Sequence, residues 1–290
     1  MPKQDEVTIR RVDIYSEGTR MIGYAFTPKS SQAGAKLPVV ILAHGWGGTQ
    51  NLLRTDAIEF AKEGYFVLSF DYRGWGESDS RVVLKSPAPD AKQTDFTAQV
   101  HALREIVDPL DTVADWQNAI HWVHGEAQAD AKRIGLWGSS MGGSLAVYAG
   151  AHDPRVRAVH SQVTGGLKGS LWTSRPQTFP EATGRARGEL GYPAPGAQTY
   201  PGLKGAPISS RFDNYNPLED ITRTTKVAFQ FVLSENEQYL NNEEHAIGAY
   251  KRYQGPKNLV ILPGISHYDI YEKARVKAHT LAREWFDKHL

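Results

Sequence analysis

The chain has 290 residues, enough for one large α/β domain with an insertion or, at a stretch, two domains. Its content of 40% apolar and 22% charged residues is ordinary for a globular protein. Its formal net charge of +1 gives no broad electrostatic basis for binding nucleic acid or an anionic membrane. The absence of cysteine excludes disulfides, thiolate metal sites and a cysteine nucleophile.

The N-terminal sequence MPKQDEVTIRR is polar and has no apolar core of the kind found in signal peptides. No apolar run in the chain is long enough to span a bilayer. A cytoplasmic location is therefore the default expectation. We expect no nucleic-acid or membrane partner, and the composition leaves a homodimer open.

The first elements of the chain predict one edge of a sheet. Residues 6–15 and 20–27 alternate apolar and polar side chains, and a turn signal, Glu17-Gly18, separates them. This pattern predicts an antiparallel hairpin. Residues 37–43 (LPVVILA) are a continuous apolar run, typical of a strand that is buried on both faces.

The run 37–43 ends in a glycine-rich turn, His44-Gly45-Trp46-Gly47-Gly48. Such a turn can point backbone N–H groups at a ligand, so we interpret the N–H of Trp46 as one half of an oxyanion hole. The alternative is a tight connection from a strand to a helix, with a structural role for His44. A helix is predicted over 50–63.

Residues 65–70 (YFVLSF) predict the next buried strand, which runs into a loop that begins Asp71-Tyr72-Arg73-Gly74. A structural loop is the favoured interpretation, and Tyr72 is retained as a candidate substrate-binding residue. A helix is predicted over 111–124. His121 and His124 in this helix have no evident third ligand, so we expect no metal site.

The most informative stretch is Gly138-Ser139-Ser140-Met141-Gly142, which follows a short apolar run and precedes a helix-compatible one. Gly-x-Ser-x-Gly between a strand and a helix is typical of a nucleophile turn. Ser140 occupies the central position, and Ser139 falls outside the register. The N–H of Met141, the residue after the nucleophile, is the expected second oxyanion donor.

Residues 164–225 differ from the rest of the chain because they are rich in glycine, proline, serine and threonine, with scattered aromatic residues. A segment this long with few regular patterns usually has a function, and we predict a lid or cap over the site. The alternative is a disordered insertion. Trp172 is a second candidate for substrate binding.

The C-terminal part predicts the remaining catalytic groups. Apolar runs over 226–233 and 258–262 predict two more strands, and helices are predicted over 241–253 and 269–288. His267 follows the last strand in a Pro-Gly loop, where an imidazole could reach Ser140 and act as its general base.

The acid that would orient this imidazole is less well defined. Glu237 lies four residues beyond the strand that ends at Leu233 and is the preferred candidate. Glu235 is the nearest alternative and could instead bond the loop backbone. An acid elsewhere, such as Asp213 or Asp220, also remains open. The chain order serine, acid, histidine is the order expected when these residues follow successive parallel strands.

Together these motifs resemble the α/β-hydrolase superfamily, and most closely its branch of dienelactone hydrolases, esterases and thiohydrolases. The resemblance covers the whole chain outside 164–225. It implies one α/β-hydrolase domain over 1–290, with a mostly parallel eight-stranded sheet, flanking helices and the lid after the sixth strand. It also implies a Ser140–His267–acid triad with oxyanion donors at Trp46 and Met141. Glu237 departs from the aspartate more often found in the family.

The sequence therefore predicts a serine hydrolase that cleaves a carboxylic ester, or a thioester, of a small molecule through an acyl-enzyme. An acyltransferase with the same triad is the first alternative, followed by carbon–carbon bond chemistry and a non-catalytic binding protein. No cofactor is expected, because the glycine spacing matches neither a dinucleotide nor a nucleotide phosphate motif.

Overall fold

The computed structural model describes residues 6–32, 34–90, 92–169, 175–198 and 202–290. The strands are β1 (Val7–Ser16), β2 (Thr19–Pro28), β3 (Leu37–Ala43), β4 (Phe66–Phe70), β5 (Val82–Leu84), β6 (Val100–Ala102), β7 (Ile106–Val107), β8 (Ala129–Ser139), β9 (Val156–Gln162), β10 (Ala206–Pro207), β11 (Ala228–Asn236) and β12 (Lys257–Ser266).

The α-helices are α1 (Arg54–Lys62), α2 (Pro109–His124), α3 (Met141–His152), α4 (Arg175–Ala186), α5 (Ser209–Phe212), α6 (Pro217–Asp220), α7 (Ala246–Arg252) and α8 (Arg275–His289). Short 3₁₀ turns cover Gln50–Leu53, Ile221–Arg223 and Tyr268–Tyr271. Within the ranges given above, no helix is both long and apolar enough to cross a membrane.

The central sheet has eight strands in the order β1-β2-β4-β3-β8-β9-β11-β12. β1 pairs antiparallel with β2, and β2 pairs antiparallel with β4. All the other neighbours in this sheet run parallel. The predicted edge hairpin and the mostly parallel eight-stranded sheet are therefore confirmed. The parallel strands all end at one edge of the sheet, where ligands bind in folds of this type.

Both faces of the sheet are buried. In β3, Ile41 and Ala43 pack into an apolar layer with α2 and α3, while Leu42 packs into the opposite layer with α1 and α8. Alternate residues of a strand point to opposite faces, so a continuous apolar run is what burial on both sides requires. The same explanation holds for β4, whose five residues are all buried.

The C-terminal elements differ from the prediction at their ends. The helix predicted over 241–253 begins only at Ala246, because the side chain of Asn241 accepts from the N–H of Glu243 and holds a turn before it. The strand predicted over 258–262 extends to Ser266, which pairs with Asn236 in β11. The helix predicted over 269–288 is divided into a 3₁₀ turn and α8.

The described part of 164–225 contains α4, β10, α5 and α6. Two of its aromatic side chains, Phe212 and Tyr215, are fully buried in the core beside α3, whereas Phe179 and Tyr192 are exposed. The segment is thus anchored to the main core. Its action as a lid, and the treatment of 1–290 as one domain, remain predictions.

An ion-pair cluster joins α1 to α8. Arg275 bonds Asp56 and Glu59 at 2.7 to 2.9 Å, and His279 contacts Asp56 and Glu63 at 3.4 and 3.2 Å. Burial alone would lower the pKa of His279, but the neighbouring carboxylates of Asp56 and Glu63 outweigh burial and raise the pKa to about 9. The folded chain therefore holds this proton more tightly than the unfolded chain does.

We expect stability to fall as the pH rises through this range. The unfolded imidazole titrates near 6.5, so the contribution of His279 is fully present below about pH 6.5 and is lost by about pH 9. The shift corresponds to a stabilisation on the order of 3 kcal/mol. The free energy of unfolding, measured with urea, should fall less between pH 6 and pH 9.5 in His279→Gln than in the wild type. An equal loss in both proteins would contradict this assignment.

Candidate active site

Ser140 lies in a strained turn between β8 and α3. Its backbone has φ 56° and ψ −126°, a conformation that costs a non-glycine residue on the order of 1–3 kcal/mol. Its N–H donates to the carbonyl of Gln162 in β9 at 2.9 Å. A Cβ at Gly138 would lie 2.1 Å from the carbonyl oxygen of Gly142, and one at Gly142 would lie 2.6 Å from that of His44. Both motif glycines are therefore required for strand and helix to approach this closely.

The glycine-rich turn after β3 packs directly against this serine. A Cβ at Gly45 would lie 3.0 Å from the Cβ of Ser140 and 2.9 Å from the carbonyl oxygen of Ser139. Met141 is the first residue of α3, so its N–H has no acceptor within the helix and lies at the positive end of the helix dipole. The indole of Trp46 donates to the carbonyl of Gly205 at 3.1 Å, which connects the turn to the segment 164–225.

Glu237 and His267 form a buried pair at the same edge of the sheet. They directly follow Asn236 and Ser266, which are partners in the ladder between β11 and β12. The imidazole Nδ1 of His267 lies 3.0 and 2.9 Å from the two carboxylate oxygens of Glu237. Because a carboxylate only accepts, Nδ1 carries the proton and Nε2 remains as the basic nitrogen.

The surroundings of Glu237 keep it ionised. Burial alone would raise its pKa, but the hydrogen bond from His267 outweighs burial and lowers the pKa below the ordinary value. The N–H of Tyr239 and the hydroxyl of Ser234 also donate to this carboxylate. An ionised acid is what orients an imidazole and stabilises its protonated form.

The other candidate acids have different partners. Glu235 is exposed and accepts from the N–H of Gly264 at 2.8 Å, as the alternative interpretation expected. Asp213 accepts from the hydroxyl of Thr178, and the carboxylate of Asp220 lies 3.4 Å from Nε2 of His152. The geometry therefore favours Glu237 as the acid paired with His267.

Ser140 and the histidine loop are connected through Ser139. The hydroxyl of Ser139 donates to the phenol oxygen of Tyr271 at 2.7 Å, and Tyr271 ends the 3₁₀ turn that directly follows His267. Among the described residues, the hydroxyl of Ser140 makes no hydrogen bond, so its bond to His267 stays a prediction. Such contacts often tighten only when substrate binds.

A shallow cavity, whose void of about 250 Å³ includes open solvent, lies beside the glycine-rich turn. Most of its wall is aromatic or aliphatic, and it is lined by His44, Gly45, Trp46, Gly47, Tyr72, Trp75, Val107, Thr112, Met141 and Leu145. Both proposed oxyanion residues, Trp46 and Met141, lie on this wall. Tyr72, a predicted substrate-binding residue, lines it as well, whereas Trp172 lies outside the described residues.

The polar side chains of the cavity wall mostly bond the protein itself. The hydroxyls of Tyr72 and Thr112 donate to the carbonyls of His44 and Asp108 at 3.0 and 2.7 Å. The indole of Trp75 donates to a carbonyl in β7 at 3.2 Å. Burial lowers the pKa of His44 to about 4, so this ring is neutral near pH 7. The cavity wall therefore carries no charge.

Comparison with known proteins agrees with this architecture. Residues 38–189, more than half of the chain, match the family described as alpha/beta hydrolase fold, and the chain belongs to that family. A solved structure, the hypothetical protein PA2218 from Pseudomonas aeruginosa, superposes with a TM-score of 0.76 at 20% identity, covering 100% of this chain and 96% of that one. At this identity the likeness shows the fold alone.

Two curated relatives match the sequence over shorter stretches. The quorum-quenching protein AidA of Acinetobacter baumannii is 29% identical over 163 residues, 55% of this chain and 46% of the relative. Thiohydrolase aneE of Aspergillus aculeatus is 30% identical over 125 residues, 43% of this chain and 33% of the relative. The matched region thus spans less than half the length of either relative.

The sequence did not point to several residues around the site. Tyr239 and Tyr268 pack edge to face on His267, with ring centroids 5.3 and 5.4 Å away. Tyr268 is adjacent to His267 in the chain, so its place near the site could have been predicted. Val107 and Leu145 reach the cavity from distant elements that carry no motif.

Proposed function

We propose that the protein is a serine hydrolase that cleaves a carboxylic ester or thioester through an acyl-enzyme on Ser140. The observation that carries the proposal is the buried bond between His267 and Glu237, formed at the same sheet edge as the strained serine turn. A hydroxyl needs such a base to become a nucleophile at neutral pH.

In the proposed reaction, Nε2 of His267 takes the proton of Ser140 as the oxygen attacks the acyl carbon. The negative oxygen of the tetrahedral intermediate accepts hydrogen bonds from the N–H groups of Trp46 and Met141. His267 then gives its proton to the departing alcohol or thiol. Water, deprotonated by the same imidazole, then attacks the acyl-enzyme in the same way and releases the carboxylic acid product. Glu237 stays ionised throughout and balances the charge of the imidazolium.

The chemistry can be tested with activated esters. Rapid mixing with p-nitrophenyl butyrate should release a burst of p-nitrophenol close to the enzyme concentration, the result expected when the acyl-enzyme forms faster than it is hydrolysed. Comparing this ester with a butyryl thioester of similar size separates esterase from thioesterase activity. The thioester arm is motivated by the name of the relative thiohydrolase aneE. Absence of turnover on both substrates would count against the proposal.

Acyl transfer is the second candidate, because one observation favours a covered site. The carbonyl of Gly205, in the segment 164–225, accepts from the indole of Trp46 beside the proposed oxyanion position. A cover of this kind could exclude water and admit an alcohol. Product analysis with saturating 1-butanol decides between the two: free acid alone indicates hydrolysis, and butyl ester indicates transfer.

The cavity beside Trp46 and Met141 suggests which acyl groups fit. The wall encloses only about 20 Å³, room for about one water-sized group, and the surrounding void of about 250 Å³ includes open solvent. Its uncharged wall offers no cation for a second carboxylate. We therefore propose that the preferred acyl group is short, apolar and uncharged.

We expect kcat/KM for p-nitrophenyl esters to be highest between acetate and butyrate and to fall at least about tenfold by octanoate, because longer chains exceed the cavity. Val107→Ala should move the preference toward longer chains, since Val107 lines the cavity and is buried. Val113→Ala, a buried valine that does not line the cavity, is the matched control. An octanoate preference in the wild type would contradict the short-acyl assignment and leave the hydrolase proposal standing.

A further inference from the structure

A hydrogen bond connects the chain segments that carry the proposed nucleophile and base. Ser139 precedes Ser140, and its buried hydroxyl donates to Tyr271 at 2.7 Å. Tyr271 lies four residues after His267, at the end of the same 3₁₀ turn. Burial raises the pKa of Tyr271 to about 12, so the phenol stays protonated at working pH. A hydrogen bond between two neutral hydroxyls therefore joins the end of β8 to the turn that follows His267.

Gln162 supports this bond from the neighbouring strand. Its backbone carbonyl accepts the N–H of Ser140 at 2.9 Å, and its side-chain amide donates to the hydroxyl of Ser139 at 3.3 Å. Gln162 and Ser139 are partners in the ladder between β8 and β9. One buried glutamine therefore restrains both serines of the turn.

The polar chain continues into the sheet. Nε2 of His160 lies 3.3 Å from the amide oxygen of Gln162, and Nδ1 lies 2.7 Å from that of Gln230. Burial lowers the pKa of His160 to about 4, so the ring is neutral. A neutral imidazole donates from only one nitrogen, so one of the two amides must turn its nitrogen toward the ring.

This chain crosses three strands on one face of the sheet, within an otherwise apolar layer. His160 stacks on Trp137, with ring centroids 6.3 Å apart, and lies 6.5 Å from the ring of Phe286. Burying an amide or imidazole is costly unless it is hydrogen-bonded, and apolar side chains would fill this layer without that requirement. Unlike apolar packing, a connected chain of hydrogen bonds holds the hydroxyl of Ser139 in one orientation.

We propose that Ser139 and Tyr271, supported by Gln162, His160 and Gln230, are positioning residues that hold the imidazole of His267 within reach of Ser140. The inference rests on the function proposed above. None of these five side chains contributes to the chemical steps themselves. Their effect passes through the location of His267.

Tyr271→Phe tests the proposal, because it removes one hydroxyl and little volume. A small misplacement of the base slows both acylation and deacylation, so kcat on p-nitrophenyl butyrate should fall about tenfold or more while KM changes less than about twofold. Labelling of Ser140 by a fluorophosphonate should slow by a similar factor. The matched control is Tyr253→Phe, which removes a buried hydroxyl bonded to the carbonyl of Val227, and it should retain the wild-type kcat.

A double-mutant cycle separates positioning from general destabilisation. Ser139→Ala removes the partner of the same hydrogen bond. The kcat of the double variant with Tyr271→Phe should therefore fall no further than that of the more impaired single variant. If the fold-losses in kcat of the two single variants multiply in the double variant, the two residues do not act through one hydrogen bond. If Ser139→Ala does not fold, the comparison of Tyr271→Phe with Tyr253→Phe still decides the matter.

The outcomes also separate this inference from the proposed function. Wild-type turnover that depends on Ser140, together with an unchanged kcat for Tyr271→Phe, overturns the positioning role alone. Wild-type protein that neither turns over esters nor reacts with the phosphonate overturns the proposed function, and the positioning role with it.

Discussion

Replacing Ser140 by alanine is expected to reduce kcat for ester hydrolysis by about 10⁴-fold or more, to the level left by substrate binding and the oxyanion donors. The reason is that no acyl-enzyme can form without the hydroxyl. The burst of p-nitrophenol should disappear together with the steady-state rate. The measurement is stopped-flow and steady-state hydrolysis of p-nitrophenyl butyrate by the purified variant.

Ser161→Ala is the matched control for this experiment. Ser161 is a fully buried serine in β9 whose hydroxyl bonds that of Thr164. It has no place in the proposed chemistry, so its loss should leave kcat within about twofold of the wild type. Equal rates for the wild type and Ser140→Ala would mean that another group performs the reaction.

The second large effect is expected at the acid. Glu237→Gln keeps the size of the side chain but replaces the carboxylate that accepts from Nδ1 of His267. The amide can present its nitrogen to the ring and favour the wrong tautomer, and it does not balance the imidazolium. We expect kcat to fall by about 10³- to 10⁴-fold, with KM little changed, in steady-state ester hydrolysis.

The neighbouring acid provides the comparison. Glu235→Gln alters an exposed side chain that bonds the N–H of Gly264, so its kcat should stay within about threefold of the wild type. The two variants remove the same charge two residues apart. A larger loss of kcat for Glu235→Gln than for Glu237→Gln would show that Glu235, and not Glu237, is the acid.

The strands and the order of the site residues could be predicted because they depend on local pattern. The apolar runs over 37–43 and 65–70 have no alternation, and burial on both faces of a parallel sheet is the arrangement that satisfies them. The glycines around Ser140 indicate a turn too tight for side chains. In the structure, a Cβ at Gly138 or Gly142 would clash with backbone oxygens.

The position of Glu237 followed from counting beyond a predicted strand end, although the strand proved to end three residues later, at Asn236. β11 extends through Asn236 because Asn236 pairs with Ser266 across the ladder to β12. That pairing places the next residues, Glu237 and His267, opposite each other. A single sequence shows the two runs but not the register between them.

Other features depend on contacts between distant parts of the chain and could not be predicted. The last helix begins at Arg275 because Asp269 accepts the N–H and hydroxyl of Ser266 and holds a separate turn. The bond between Ser139 and Tyr271 joins residues 132 positions apart. Ser139 lies outside the motif register, so no role was predicted for it.

The most direct test of the account is to map the site of reaction with a fluorophosphonate by intact mass and peptide sequencing. We predict one adduct per chain, located on Ser140, absent from Ser140→Ala and formed far more slowly by His267→Ala. An adduct on Ser139 or on any other residue, or no adduct in active wild-type protein, would contradict it.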